Sequence, residues 1–386
     1  MSLSRGSTLF SRSLLTGDRW AYRIPSSPVP QLKPTNLSPM KIVLCLITIA
    51  SLTRLAPSQE LVSTLYPFGV DRKCGYMNER GKIIVNPRFD RCGEFSEGLA
   101  GVTIGRWSGY IDKSGEVKVD LKLDGVEAGD FTEGFATVLV KTSTGGTEFG
   151  YVDTLGKVTM FPGATQLLDF SEGLALITIG NRTGYIDKSL KFVIPPLFRH
   201  GNTFSEGLAR VSDESGEYFI DKTGAKIIAL TGKHWSYFSE DFTTIHTEYG
   251  YGFMDRNGSV VITPQFSSAC LFHAGMACVE VKGKWGYIGK SGEVLILPQF
   301  EEAESFSSDA IAVVKLSNKY GFIDKTGRFL IAPRFEKARW IANGLGLVEL
   351  GGRDRYINIR TGQFIKPKLN LQRRSKYGSL NERQTP

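Results

Sequence analysis

A seven-residue pattern, Gly-aromatic-aliphatic-Asp-x-x-Gly, recurs along the chain, and its first glycine falls at Gly75, Gly109, Gly150, Gly184, Gly252, Gly286 and Gly321. Tyr218 takes the same slot between Gly184 and Gly252, and a looser copy surrounds Tyr356. Successive slots lie 34, 41, 34, 34, 34, 34, 35 and 35 residues apart. A fixed period of this length marks a repeat architecture, in which each unit is too small to bury a core alone and must lean on its neighbours. Most residues are thereby committed to scaffold, and few remain for chemistry.

One clean unit runs from Phe272 to Phe300. Its β-prone runs Cys278–Val281, Trp285–Ile288 and Val294–Phe300 are separated by turn residues, which predicts a three-stranded antiparallel meander. The second and third runs are joined by Asp-x-x-Gly, at Asp112/Gly115, Asp153/Gly156, Asp221/Gly224, Asp255/Gly258 and Asp324/Gly327. The acid accepts backbone N–H bonds from residues just ahead, and the glycine takes a positive φ without a Cβ clash, as a type I turn with a bulge requires. These are structural turn residues. Calcium needs several oxygens converging on one point, and one acid per repeat does not supply them. Asn78 serves the same turn, and Gly289 is expected to lose the side-chain bond.

The third run reaches a proline at Pro87, Pro162, Pro196, Pro264, Pro298 and Pro333, read as a strand end or an unpaired edge. Phe89, Phe198, Phe266, Phe300 and Phe335 follow two residues later, and a second ring opens Phe95-Ser96-Glu97-Gly98-Leu99-Ala100 and its copies. These rings are expected to anchor neighbouring repeats, each buried ring contributing roughly 1.5–3 kcal/mol. Glu97, Glu133, Glu172, Glu206 and Glu240 recur with them. Active sites are single constellations, so a periodic row of acids is read as structural and not catalytic.

The Phe-Ser-Glu-Gly-Leu-Ala segment, the Gly-Tyr-Ile-Asp-Lys-Ser-Gly turn and the Ile-x-Pro-x-Phe end together resemble the WG repeat family, with Lys284-Trp285-Gly286 keeping the Trp-Gly pair. The resemblance covers roughly residues 71 to 367 and implies a structural β-repeat array, often in secreted or envelope-associated bacterial proteins. It brings no catalytic residues. Familiar propeller blades take four strands and about 40–45 residues. An all-β, open and twisted array of three-stranded units is therefore expected here, with a closed propeller-like ring as its rival. The 41-residue step reads as a hairpin enlarged in place, at Lys141 to Thr147.

Residues 1–39 read as an unfolded extension or a mis-assigned start, and 40–60 as a signal-like apolar segment, with Lys41 to Leu52 its block behind Met40. The repeat domain is assigned to 61–367 and a basic disordered tail to 368–386. Translation from Met40 would make the product secreted, periplasmic or envelope-associated; otherwise it is membrane-anchored or cytoplasmic. Membrane contact is expected only through an uncleaved N-terminal segment. Cys74, Cys92, Cys270 and Cys278 are read equally as disulfides or as thiols.

The net charge of +8 resides at the ends, since residues 1–39 carry +4, 40–60 carry +1 and 366–386 carry +5, leaving −2 on the repeats. A near-neutral array is a poor match for nucleic acid. His200, His234, His246 and His273 have no metal-ligand spacing, and no phosphate-binding loop or nucleophile elbow occurs. No cofactor and no metal are expected. Trp107, Trp235 and Trp285 are the contact candidates, able to stack on sugars or peptides, although core packing suits them as well. The expected function is a non-enzymatic extracytoplasmic scaffold for a protein partner or the cell envelope. Alternatives are a glycan- or cell-wall-binding module and, further off, an enzyme with its site in repeat loops.

Overall fold

A computed structural model describes residues 64–122, 126–142, 145–230 and 236–368. Nine antiparallel sheets follow one another, here numbered blades 1 to 9: 65–89, 91–120, 127–161, 164–198, 200–229, 242–266, 268–300, 302–335 and 337–365. Among the described residues, blades 1 and 6 have three strands and the other seven have four.

The blades form a closed propeller, which corrects the expected open array in favour of its rival. The Tyr356 hydroxyl of blade 9 donates to the Pro67 carbonyl of blade 1 at 2.9 Å, and Asn343 donates to the Thr64 hydroxyl at 2.8 Å. The rings of Tyr66 and Tyr356 stand 5.7 Å apart, and Lys368 N–H reaches the Gly81 carbonyl at 2.8 Å. Ile365 lies against the Gly81 turn as Val85 lies against Gly115. The last blade thus meets the first as any blade meets its neighbour. Gly81 and Tyr356 belong to the repeat pattern and make the contacts that any seam makes, so nothing in the pattern itself distinguishes a closing seam from an interior one.

The three-stranded unit is also corrected, because the tail of each third run turns a corner. Ile83–Phe89 pairs with Lys73–Asn78, and one residue on, Arg91–Cys92 pairs with Leu99–Ile104 of the next blade. Each repeat therefore straddles two blades, and the short fourth strand stitches them together.

Proline ends the third run in blade 3, where Pro162 follows Val158–Phe161, but Pro87, Pro196, Pro264, Pro298 and Pro333 lie inside theirs. Pro298 lies inside Val294–Phe300, where Trp285 pairs with Phe300 and Tyr287 with Ile296, so that four steps on one strand face two on the other. Such a bulge leaves a backbone position unpaired and tolerates a residue without an N–H. It also presses the backbone onto Gly286, where an added Cβ would stand 2.5 Å from the Ile296 oxygen and 2.7 Å from Pro298 N. In blades 1, 4, 6, 7 and 8 the first glycine of the pattern thus answers this bulge, whereas Gly109 and Gly150 lie in regular register against the Val119 and Thr159 oxygens.

The hairpin residues behave as the sequence predicts. Asp112 Oδ1 accepts from Ser114 N at 2.9 Å and Glu116 N at 3.1 Å, while Gly115 has φ +88°. Asp153, Asp221, Asp255 and Asp324 bond the same two positions, and Gly156, Gly224, Gly258 and Gly327 share the positive φ. Gly289 differs from expectation, because the Glu293 carboxylate fills the vacated space and accepts from Ser291 N at 3.2 Å.

Between blades, a buried aromatic after the pattern's first glycine meets the next blade's phenylalanine. Ring centroids lie 4.8 Å apart for Tyr76–Phe95, 4.9 Å for Tyr185–Phe204 and 4.7 Å for Tyr287–Phe306. The tyrosine hydroxyls donate across the seam, Tyr185 to the Asn202 carbonyl at 2.7 Å. Cys74–Cys92 joins blade 1 to blade 2, and Cys270–Cys278 bridges two strands of blade 7.

The recurrent glutamates form a belt. Glu97 and Gly98 have φ of +51° and +84°, a primed two-residue turn. The Glu97 carboxylate accepts from Glu133 N at 2.7 Å and Gly134 N at 2.8 Å in the next blade. Glu133, Glu172, Glu206 and Glu240 repeat this onto Gly173, Gly207, Asp241 and Gly275. Lys188, Lys222 and Lys290 pair with Glu133, Glu172 and Glu240. The belt breaks at Ala274, which keeps the positive φ but has no carboxylate.

Candidate functional site

With the repeated residues absorbed by turns, bulges and seams, unusual chemistry should appear where the repeats differ. At each seam the short strand of one blade faces the middle strands of the blade before it. Between blades 4 and 5 this leaves a cleft of about 900 Å³, against about 390 Å³ between blades 2 and 3 and about 420 Å³ between blades 7 and 8.

Three arginines line the large cleft, and each stands where other blades carry something else. Arg182 opens the middle strand Arg182–Asp187, a place held by Trp107 in blade 2 and Lys284 in blade 7. Arg199 follows Phe198 at the crossing between blades, where Asp90, Ser267, Glu301 and Glu336 stand elsewhere. Arg210 lies on Ala209–Asp213, in the place of Gly101 and Cys278. Arg182 Nη2 donates to Glu214 Oε1 at 2.7 Å and Arg199 Nε to the same oxygen at 3.2 Å. Arg182 Nη1 also donates to the Leu197 carbonyl at 3.1 Å. Arg210, largely buried, donates to Glu217 at 3.0 Å. Hydrogen bonds from the Arg182 guanidinium first, and then from its own backbone N–H and Arg199, hold the Glu214 carboxyl at about 2.

Of the other clefts, the one of about 580 Å³ between blades 9 and 1 also gathers basic groups, Arg353, Arg355 and Lys366 beside Asp354, whereas two more are richer in acid. Glu127 and Asp130 line the one between blades 2 and 3, and Glu302 and Glu304 the one between blades 7 and 8. Burial raises the carboxyls of Asp130 and Glu304, helped by Glu94 and Glu302 respectively. No group of three or more His, Cys, Asp or Glu side chains able to hold a metal ion occurs among the described residues.

The predicted contact residues are not brought together. Trp107 of blade 2 packs against the first core cluster and donates its indole N–H to Asp120 at 3.0 Å. Trp285 of blade 7 packs beside Cys270 and lines the blade 7–8 cleft. Trp235 lies outside the described residues, as do 1–63 and 369–386, on which the leader and most of the tail assignments rest. The sequence reading missed Arg182, Arg199, Arg210, Glu214 and Glu217. Setting the repeats side by side would have singled out Arg199, which stands where Asp90, Glu301 and Glu336 stand elsewhere, but not Arg182, whose place is held by Lys73, Lys284 and Lys319 in other blades.

A family model for the WG containing repeat matches residues 75–105, 109–141, 184–215, 251–285, 285–320 and 320–353. The chain belongs to the WG repeat family. The WG repeats here are the propeller blades seen out of phase, since each match begins at or beside a middle strand and runs into the next blade. No curated protein matches the sequence. Among solved structures, one described as the eukaryotic initiation factor is 11% identical, with 78% of this chain and 94% of that chain covered and a TM-score of 0.54. The dihydro-heme d1 dehydrogenase NirN in complex with DHE is also 11% identical, covering 78% of this chain and 72% of that one at a TM-score of 0.42. At such identity the first likeness is one of fold alone.

Proposed function

We propose that this WG repeat ring is a non-enzymatic scaffold that holds a protein partner at the cleft between blades 4 and 5. The observation that carries the reading is the cleft's loss of repeat symmetry: it is more than twice the volume of the clefts at blades 2–3 and 7–8 and gathers three arginines, where each of those two carries a pair of acids and one basic residue. Beside it the edge strand Phe192–Phe198 exposes Phe192, Val193 and Leu197, the last 59% accessible. Apolar rims around a charged centre suit protein contacts. Pro196, within the same strand, blunts the edge against ladder extension. The partner thus meets side chains and not an added strand.

An oxidising, extracytoplasmic setting is part of the proposal, supported by two cysteine pairs at Cα separations of 6.1 Å and 5.1 Å. Thiol labelling of the protein as isolated from its source should leave these four cysteines unlabelled until a reductant is added. Labelling without reductant removes that part. The decisive experiment is affinity capture on the immobilised full chain from the source organism's secreted and envelope fractions, beside the double variant Arg182→Glu/Arg199→Glu. A protein retained by the first and not the second is expected. Equal retention, or none, overturns the reading. The glycan alternative gains little from geometry, because Trp107 and Trp285 stand in separate blades and, among the described residues, no Trp, Tyr or Phe lines the cleft, whose one ring is the His200 imidazole.

A further inference from the structure

We infer that the cleft between blades 4 and 5 is a receptor for a side-chain carboxylate of an acidic peptide segment, and that Glu214 is a resident competitor for that place. The inference rests on the interaction reading above and narrows it to a ligand chemistry.

Glu214 belongs to the hairpin between Ala209–Asp213 and Gly216–Ile220, and its Oε1 takes hydrogen bonds from two guanidiniums of the preceding strands. The fold therefore displays one carboxylate already seated in the cleft, which identifies the group the arginines are spaced to hold. Arg182 is fixed from behind by its bond to the Leu197 carbonyl, so its planar fork is oriented before any ligand arrives. Both pairs are open to water, with side-chain exposures of 44% for Arg182, 57% for Arg199 and 56% for Glu214. Exposed pairs of this kind are weak, so an incoming carboxylate exchanges with Glu214 at little cost. Deeper in the cleft, Arg210 is neutralised by Glu217, which confines the exchangeable site to Arg182 and Arg199.

The rest of the lining selects a peptide. Gln166, Thr178, Thr183 and Asn202 offer amide and hydroxyl groups that can bond a backbone, and among the described residues no Trp, Tyr or Phe lines the cleft to stack on a sugar ring. The chain's own C-terminal segment does not fit, because residues 366–386 are strongly basic.

The test uses the full chain and a fluorescein-labelled hexaglutamate, with hexaglutamine as control, read by anisotropy. Hexaglutamate should bind and hexaglutamine should not. Arg182→Ala and Arg199→Ala should each weaken binding by about two- to fivefold, the scale of an exposed charge pair. Glu214→Gln should tighten it by roughly threefold, and raising salt to about 1 M should weaken it. Unchanged thermal unfolding in all three variants keeps the comparison on binding. Overturning results are affinity that survives either arginine change, weaker binding in Glu214→Gln, no hexaglutamate binding, or selective binding of a sulfated oligosaccharide instead. If the hexaglutamate assay fails while a protein is still captured by the ring through Arg182 and Arg199, the carboxylate assignment falls and the scaffold reading stands. If nothing is captured, the scaffold reading itself has failed.

Discussion

An alanine at position 286 would place its Cβ 2.5 Å from the Ile296 oxygen and 2.7 Å from Pro298 N, both backbone atoms that cannot swing aside. We expect Gly286→Ala to destabilise the protein by about 1–3 kcal/mol, the usual cost of overpacking, measured by denaturant unfolding. A change within about 0.5 kcal/mol, as at indifferent sites, would show that the bulge does not constrain this glycine. The chain contains its own control. Tyr218 occupies the glycine slot in blade 5, whose last strand Lys226–Ala229 has neither the proline nor the two-residue register shift seen in blade 7. Where the bulge is absent, a large side chain is accepted. A second residue-scale prediction concerns the break in the glutamate belt. Ala274 already has φ +52°, and Lys325 Nζ lies 3.8 Å from where a Cβ on Gly275 would be. Ala274→Glu should supply the missing partner and raise stability by roughly 0.2–1 kcal/mol at low salt, a gain lost at about 1 M salt. A loss of stability at low salt would refute the belt's continuity at that point.

At the scale of the hairpin, the turn aspartates make the array sensitive to acid. Burial works against the charged form of Asp112, yet the Ser114 hydroxyl, Lys118 and the N–H groups of Glu116 and Ser114 bring its carboxyl down to about 2. Asp187, Asp221 and Asp324 are lowered chiefly by a hydroxyl of the same turn, and Asp255 chiefly by the Ser259 N–H. A folded-state value below the ordinary 3.8 contributes stability that is fully present above 3.8 and is lost as pH falls through about 2. Asp130 and Asp169 act the other way, since desolvation raises them and favours the protonated form. The lowered group is the more numerous, so the melting temperature should fall between pH 4 and pH 2, and Asp112→Asn should show a shallower fall than wild type. Parallel curves for the two proteins would remove this turn from the account. These hairpins were readable in the sequence because their chemistry is local: an acid, a hydroxyl and a glycine within four residues. The fourth strand was not, because Arg91–Cys92 is defined by the neighbour it pairs with and its two residues carry no pattern of their own. The cleft escaped for the same reason, its arginines lying in one strand of each of two blades and at the crossing between them.

For the whole molecule, the difference between a ring and an open stack lies in whether the two ends differ from the middle. In an open array the terminal repeats have a free face, and each neighbour interface can be lost separately. In the ring, the seam between blades 9 and 1 is one interface among nine. Two tyrosines allow a direct comparison. Tyr356 donates to Pro67 across the closing seam at 2.9 Å, and Tyr185 donates to Asn202 across an interior seam at 2.7 Å. Removing either hydroxyl leaves a carbonyl without its donor and should cost about 1 kcal/mol, a fall of roughly 2 °C in the melting temperature for a chain of this size. Tyr356→Phe and Tyr185→Phe should therefore lower the melting temperature equally, and both proteins should keep a single transition. A silent Tyr356→Phe beside a destabilising Tyr185→Phe would mean that the ends do not meet in solution. In that case the blade 4–5 cleft would lose the rigid closed frame that holds Arg182 and Arg199 at a fixed spacing from Glu214, and its binding should weaken when blade 1 is displaced. Equal shifts would show that the closing seam is held by the same bond, at the same cost, as a seam in the middle of the chain.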